Sequence, residues 1–231
     1  MIIYGKNSCY EYLKKGLKVK KLYLDRNFSD KKIISLMENL NIRPCFYTKF
    51  ELDRLANENH QGIIIDAGEY RYADLDDIVS SDNGFVVILD HITDPHNFGA
   101  IIRTCVAAGV DGIIIPKDRS VSVNSTVMKT SVGMALNIKI CMVTNINHAI
   151  RYLKDKNYWI YAADMSHTKY TDVSYSGNVA LIIGNEGKGV SDLVIKSSDY
   201  VVSIPLAENV DSLNASVAAG ILIYEVVRQR N

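Results

Sequence analysis

The chain has 231 residues, 48% of them hydrophobic and 23% charged, and its formal net charge is zero. This length is enough for one large domain or two smaller ones with buried cores, and the composition is that of an ordinary globular protein. No apolar run reaches the roughly 20 residues that a membrane span needs, and the N-terminus has no signal-peptide pattern. We therefore expect a soluble cytoplasmic protein with no membrane partner.

The first third of the chain alternates short predicted helices and strands. These elements are a helix from Asn7 to Lys15 closed by Gly16, a strand at 19–25, a helix from Ser29 or Asp30 to Leu40, a strand at 44–48, a short helix at 50–56 and a strand at 62–66. Residues 1–49 hold 11 Lys and Arg against 4 Asp and Glu. Such a basic region can meet a phosphate backbone, although a solvated helix face accounts for the same charges.

An acidic and weakly patterned stretch follows. Residues 50–82 hold 2 Lys and Arg against 9 Asp and Glu. The predicted organisation is an N-terminal domain of residues 1–67, a linker of residues 68–83 and a C-terminal domain of residues 84–231.

The C-terminal region alternates continuous apolar strands with helical segments. The predicted strands lie at 85–90, 112–116, 138–143, 158–164, 179–184 and 200–205. Continuous apolar strands are typical of a parallel sheet buried on both faces, and their alternation with helices predicts an α/β fold.

The sequence "DPHNFGAIIRT" follows the first of these strands. Asp94 and Pro95 favour a turn, and Asn97 is predicted to cap a helix running to Gly109. Arg103 lies on that helix among apolar positions, where a guanidinium is unfavourable unless it meets an anion. The alternative is that this side chain extends to water.

A glycine-rich turn, "LIIGNEGKG", ends the strand at 179–184. It fits neither common phosphate loop, because Val190 follows Gly189 where a Walker loop needs Lys, and the glycine order is not that of a dinucleotide fingerprint. Glu186 would also repel a phosphate. A neutral or cationic adenosyl ligand such as S-adenosylmethionine satisfies the pattern, since glycines let a backbone approach the ligand closely. The alternative is a turn whose glycines only permit a positive φ.

A polar loop and a long apolar helix form the third notable stretch, "IPLAENVDSLNASVA". Ser212, Leu213 and Asn214 open the helix, where polar groups can face a ligand. Residues 215–227 are more typical of a core helix or a dimer interface.

Cysteine and histidine spacing suggests no metal site. The cysteines form no CxxC pair, which favours reduced thiols over a zinc cluster or a disulfide framework. They are Cys9, Cys45, Cys105 and Cys141. The histidines show no ligand spacing either, and they are His60, His91, His96, His148 and His167.

Together the three stretches resemble, in order, the three motifs of the SpoU (TrmH-like) ribose 2'-O-methyltransferases of the SPOUT superfamily. The N-terminal "IYGKNSCYEYLKKG" and "ANENHQGIII" resemble the ribosomal-protein-like RNA-binding domain of that family. Three motifs in order are far more specific than a single glycine loop.

The resemblance implies an α/β fold whose C-terminal SPOUT domain has a parallel sheet and a deep trefoil knot, preceded by a small α/β RNA-binding domain. It also implies a homodimer whose active site combines motifs from both subunits, with S-adenosylmethionine as methyl donor and no metal. The residues implied to contact the donor are Gly184, Ile204, Leu206 and Leu213. The residues implied to be catalytic or to position the substrate are Asn97, Arg103, Glu186, Ser212 and Asn214.

The implied reaction is an in-line methyl transfer to a ribose 2'-hydroxyl. A base role for Arg103 conflicts with a guanidinium that stays protonated, so we expect Arg103 to stabilise the developing alkoxide and the adjacent phosphate. One departure from the family pattern is Leu136, where many relatives have a glutamate.

The resemblance favours a guanosine of large-subunit (23S) ribosomal RNA as substrate, as RNA or as an assembling ribosomal particle. Transfer RNA is an alternative substrate. A non-catalytic RNA-binding or ribosome-assembly factor and an adenine-nucleotide-binding regulator are alternative functions.

Overall fold

A computed structural model describes residues 1–80, 82–185 and 187–231, without the side chains of Ser166 and His167. Its strands are β1 (Ile2–Tyr4), β2 (Lys21–Asp25), β3 (Cys45–Tyr47), β4 (Ile63–Asp66), β5 (Phe85–Asp90), β6 (Gly112–Pro116), β7 (Lys139–Val143), β8 (Tyr158–Lys169), β9 (Asn178–Gly184) and β10 (Tyr200–Ser203). Its α-helices are α1 (Lys6–Lys14), α2 (Lys31–Asn39), α3 (Lys49–Leu55), α4 (Pro95–Ala107), α5 (Ser125–Thr130), α6 (Ile146–Asp155), α7 (Asp192–Ser197) and α8 (Ala215–Arg230).

The chain forms two compact units. The first contains Met1–Arg71 and Val123–Asn137, and the second contains Tyr72–Ser122 and Ile138–Asn231. The linker predicted at 68–83 stays a prediction. The structure adds to it that α5 and its flanking residues pack with the N-terminal unit.

In the first unit, the described strands form a sheet in the order β1-β4-β2-β3. β4 is antiparallel to β1 and β2, and β3 is parallel to β2. Local signals start two of its helices. Asp30 caps α2 by accepting from the Ile33 amide, as the sequence predicts, and Thr48 and Glu51 form a capping box at α3.

The second unit contains a six-stranded sheet of described residues in the order β10-β8-β9-β5-β6-β7. Every neighbouring pair is parallel, so the predicted parallel α/β sheet is confirmed. Every residue of β5 and β6 is buried. Burial on both faces explains why these strands carry no alternating polar positions.

Helices cover the sheet with regularly spaced apolar side chains. The buried residues of α6 have helical spacing and pack in one cluster with strand residues, and they are Ile146, Ala149, Ile150 and Leu153. Burying one such large aliphatic side chain contributes about 1.5–3 kcal/mol. α8 packs against α4 and β9. None of the described helices is long and apolar enough to span a membrane.

Two predicted helix caps are wrong. Helix α1 follows Gly5, whose φ of 87° suits glycine, so Asn7 lies inside the helix. Helix α4 begins at Pro95 after Asp94, whose carboxylate accepts from the His96 amide at 2.9 Å. Proline at the first position presets the helical φ, so the helix begins before Asn97. Asn97 is a buried residue within the first turns.

Candidate functional site

A cavity of about 400 Å³ lies in the second unit, lined by the middle of β8, the carboxyl end of β9 with the turn that follows it, and the end of β10 with the residues after it. Parallel α/β sheets bind ligands at the carboxyl ends of their strands. The cavity brings together five of the predicted site residues, which are Gly184, Ile204, Leu206, Ser212 and Leu213.

The glycine turn after β9 is closed on itself. The Asn185 amide donates to the Gly189 carbonyl at 3.1 Å, and the Gly189 amide donates to the Asn185 carbonyl at 2.8 Å. A Cβ at Gly184 would overlap the backbone of Gly189 and Val190. Because even alanine would not fit, glycine is required at 184 for the turn to close.

A buried carboxylate holds this turn against β5. Asp90, at the end of β5, is 1% exposed and accepts from the Ser191 amide at 2.8 Å and from His91 Nδ1 at 2.5 Å. Asn185 Nδ2 in turn donates to the His91 carbonyl at 2.9 Å. A buried carboxylate needs such partners, and here they fix both ends of the turn.

Two predicted polar residues meet outside the cavity lining. Asn214 caps α8 through the Ser216 amide at 3.0 Å, and its Nδ2 donates to Asn97 Oδ1 at 2.9 Å. Asn97 is 8% exposed, so this bond joins the starts of α4 and α8 from a buried position.

One further predicted residue, Arg103, does not line the cavity. Arg103 lies on the exposed side of α4 and forms no hydrogen bond or ion pair with any residue that the structure describes. Among the described residues, the alternative of a solvent-exposed Arg103 side chain is therefore the one observed. Glu186 lies outside the described residues.

Several cavity residues were not predicted from the sequence. They are Ala163, Asp164, Met165, Lys188 and Asp211. Asp164 and Met165 belong to β8, at the same sheet edge as the glycine turn, so the rule that ligands bind at the carboxyl ends of parallel strands gave a usable signal. Leu136 lies in the short 3₁₀ helix Met134–Leu136 of the first unit and does not line this cavity.

The cavity wall suits a flat apolar group with a polar edge. Ile183, Ile204, Leu206 and Leu222 supply apolar surface, and the glycines of the turn also line the cavity. The described ionisable residues of the wall are Asp164, Lys188 and Asp211, so acidic groups outnumber basic ones. No group of three or more described His, Cys, Asp or Glu residues is placed to hold a metal ion.

Comparison with known families identifies the class. Residues 84–224 match the model of the SpoU rRNA Methylase family, and residues 2–73 match the model described as RNA 2'-O ribose methyltransferase substrate binding. The chain belongs to the SpoU rRNA Methylase family, a family of RNA methyltransferases, and the family predicted from the three motifs is confirmed.

Individual relatives are similar in sequence to this protein along its whole chain. A protein of Staphylococcus haemolyticus described as a TrmH family tRNA/rRNA methyltransferase is 38% identical, covering 100% of this chain and 96% of its own. A Bacillus subtilis protein that is also described as a TrmH family tRNA/rRNA methyltransferase is 37% identical, and the match covers 99% of this chain and 96% of the relative.

Solved structures share the fold. The SpoU methyltransferase AviRb of Streptomyces viridochromogenes, in complex with AdoMet (S-adenosylmethionine), has a TM-score of 0.88 and 26% identity, covering 100% of this chain and 90% of its own. An AdoMet-bound rRNA methyltransferase of Sinorhizobium meliloti has a TM-score of 0.84 and 26% identity, and the match covers 98% of this chain and 86% of the other.

We expect Gly184→Ala to open the glycine turn. The added methyl group overlaps backbone, and overpacking of this kind destabilises a fold by about 1–3 kcal/mol. Hydrogen exchange measured by NMR is expected to show loss of protection at the Asn185 and Gly189 amides.

Gly109→Ala is the matched control. Gly109 has a positive φ, of 70°, and open space surrounds its Cβ position, so the substitution strains the backbone at another site without touching the turn. Wild-type protection at both amides in Gly184→Ala would contradict the role of Gly184.

Proposed function

We propose that this protein transfers a methyl group from S-adenosylmethionine to the 2'-hydroxyl of a ribose in RNA. The observation that carries the proposal is the closed glycine turn beside a largely apolar cavity that three neighbouring parallel strands help to line. The two AdoMet-bound relatives of the same fold support it.

The described residues fit this methyl donor. Gly184 lines the cavity at the end of β9, where we place the edge of an adenine, and Ile204, Leu206 and Leu213 provide apolar surface for the ring. Asp164 and Asp211 favour a ligand with positive charge over a phosphate. When bound, the donor supplies an electrophilic methyl group on a sulfonium, and Glu186 stays a predicted part of the site.

Arg103 is proposed to act on the acceptor RNA. It is a guanidinium at the surface of α4 without a partner among the described residues, so it is available for a phosphate and for an oxyanion at the reacting ribose. Asn97 and Asn214 fix the starts of α4 and α8, and we assign them a positioning role. Ser212, in the cavity wall, is proposed to orient the substrate.

A homodimer explains how Arg103 and the cavity work together, because Arg103 does not line the cavity of its own chain. α8 offers an apolar surface for a second copy. Val217 and Tyr224 on this helix are each 50% exposed, and Gly220 between them has open space at its Cβ position. We propose that this side of α8 forms the interface, with Arg103 of one subunit serving the cavity of the other.

We also infer the deep trefoil knot that the family implies. β10 pairs with β8 at the sheet edge, whereas α8 packs against α4 and β9. The connecting residues therefore cross the ends of β8 and β9, beside the glycine turn. A cavity lined by both the turn and these residues supports a threaded arrangement.

Large-subunit ribosomal RNA is the proposed substrate, at a guanosine and in the cytoplasm, free or in an assembling particle. The basic segment 1–49 and the match of residues 2–73 to a substrate-binding model support an RNA-binding N-terminal unit. Transfer RNA is the second candidate, since the relatives from S. haemolyticus and B. subtilis are described as tRNA/rRNA methyltransferases.

We expect label from radioactive S-adenosylmethionine in unmodified large-subunit ribosomal RNA and not in a transfer-RNA pool. Arg103→Ala is expected to lower the turnover rate at least about 100-fold, the usual effect of removing one preorganised oxyanion donor, and to leave donor affinity unchanged. Arg151→Ala, an exposed arginine on α6, is the matched control. Label in transfer RNA alone would contradict the proposal that ribosomal RNA is the substrate. Normal turnover in Arg103→Ala would contradict the proposed role of Arg103.

We expect Val217→Asp to convert a dimer into a monomer in sedimentation equilibrium, because it buries a charge in the proposed interface. Leu193→Asp is the control, since Leu193 is 69% exposed on α7, away from that side of α8. A dimer that persists in Val217→Asp would contradict the interface.

A mixing experiment tests the shared site. Arg103→Ala and Gly184→Ala are each expected to be inactive, but a mixed dimer has one site with both residues intact. If subunits exchange at random, the mixture should regain about one quarter of the wild-type activity. An exchanged mixture without activity would show that each site belongs to one chain.

A further inference from the structure

A second cavity, of about 520 Å³, lies within the N-terminal unit. It is bordered by the start of α1, the turn after β2, helix α3 and the loop that precedes β4. Its volume is in the range of small-ligand sites. The methyl-transfer site does not use it.

One wall of this cavity is aromatic. Phe28 follows a tight turn in which Asp25 Oδ1 accepts from the Asn27 amide at 2.8 Å and the Asp25 carbonyl accepts from the Phe28 amide at 3.0 Å. A Cβ at Gly62 would lie 3.1 Å from Phe28 Cδ2, so glycine there lets the ring lie against the backbone. The Lys6 ammonium lies 5.4 Å from the ring centroid and can be displaced, because its side chain is 41% exposed.

A buried histidine also lines the cavity. His60 is 5% exposed, and its Nδ1 accepts from the Gly62 amide at 3.0 Å. Its Nε2 therefore carries the proton and donates to Asp53 Oδ1 at 2.9 Å. This orients a carboxylate whose side chain remains 45% exposed.

Lysine residues hold the loop at the rim of the cavity in place and add positive charge there. Lys129 Nζ donates to the Asn59 carbonyl at 2.9 Å and to Gln61 Oε1 at 3.3 Å, and the Lys6 amide also donates to Gln61 Oε1, at 3.0 Å. The loop before β4 is thus preorganised. Lys6 and Lys49 also line the cavity, and the Lys6 ammonium lies 3.6 Å from Asp30 Oδ2.

We propose that this cavity binds one unpaired guanine base of the RNA substrate, stacked on Phe28. This inference rests on the proposed function in taking RNA as the ligand. Unpaired bases stack on aromatic side chains and form hydrogen bonds through their Watson–Crick edges, which are occupied in a duplex.

Charge selects guanine among the bases. The carboxylates at the cavity are Asp25, Asp53 and Glu58. They accept hydrogen bonds, and guanine offers two adjacent donors, N1–H and the 2-amino group. The Watson–Crick edge of uracil would place two carbonyl oxygens against the carboxylates. A phosphate inside the cavity would be repelled, whereas Lys6 and Lys49 can hold the backbone phosphates outside the base.

Equilibrium binding by fluorescence anisotropy tests the proposal with the full chain. The probes are labelled 12-nucleotide oligouridylates that carry guanosine, inosine or uridine at one central position. Uracil also stacks on an aromatic ring, but it offers the carboxylates one donor, N3–H, where guanine offers two. One more hydrogen bond to a charged group is expected to make the guanosine probe bind roughly 10- to 100-fold more tightly than the uridine probe. The inosine probe lacks the 2-amino group and should fall between them.

The variants isolate the cavity. Phe28→Ala should remove the preference for guanosine, and Glu58→Gln, at an exposed position, should reduce it without affecting the fold. Phe50→Ala is the matched control, because Phe50 is 65% exposed in the same unit and lies outside the cavity. Equal binding of the three probes, an unchanged preference in Phe28→Ala, or a loss confined to Phe50→Ala would overturn the proposal.

Methyl transfer separates this proposal from the proposed function. On an RNA that the wild type methylates, Phe28→Ala should raise KM and leave kcat unchanged. Guanosine preference that depends on Phe28 in a chain that methylates no RNA would overturn the enzyme function and leave the base site standing. Normal methylation of RNA by a chain that binds the three probes equally would overturn the base site and leave the enzyme function standing.

Discussion

The close approach of two backbone segments at Gly184 is the constraint on which the candidate active site depends. No side chain fits between the end of β9 and the backbone of Gly189 and Val190. The turn closes only because this position is glycine, and the buried carboxylate of Asp90 then ties it to β5. A loop held in this way keeps a fixed position at the cavity, and a preorganised wall of this kind needs little rearrangement when a ligand binds.

The two cavities have different chemistry, and we therefore propose a different ligand for each of them. The one beside the glycine turn combines apolar side chains with glycines, which suits the adenosyl part of a methyl donor. The one in the N-terminal unit combines Phe28 with carboxylates and lysines, which suits a base joined to a phosphate backbone. Each wall is held by a buried polar group, Asp90 in one case and His60 in the other.

Much of the fold was predictable because burial dictates composition. β5 and β6 are buried along their whole length, and their apolar runs predicted their bounds. Asn7 and Asn97 misled the cap predictions because a nearby residue with a stronger backbone constraint begins each helix, Gly5 in α1 and the Asp94–Pro95 pair in α4. β1 was missed because three residues are too short for a periodic signal.

The site was only partly predictable, because its composition depends on which strands become neighbours. The glycine pattern identified Gly184, but Asp164 and Met165 enter the cavity only because β8 lies between β9 and β10. Similarly, the Ser8 hydroxyl donates to the Met128 carbonyl at 3.0 Å, across 120 positions of the chain. Local patterns carry no information on contacts of that range, and so the place of α5 in the N-terminal unit had no sequence signal.

The position of the transferred methyl group tests the central claim most directly. RNA labelled from radioactive S-adenosylmethionine would be hydrolysed in alkali, which cleaves the chain only where a free 2'-hydroxyl can attack the neighbouring phosphate. We expect the label in an alkali-stable dinucleotide, because a 2'-O-methyl group blocks that attack. Label recovered in mononucleotides would place the methyl group on a base and contradict ribose methylation.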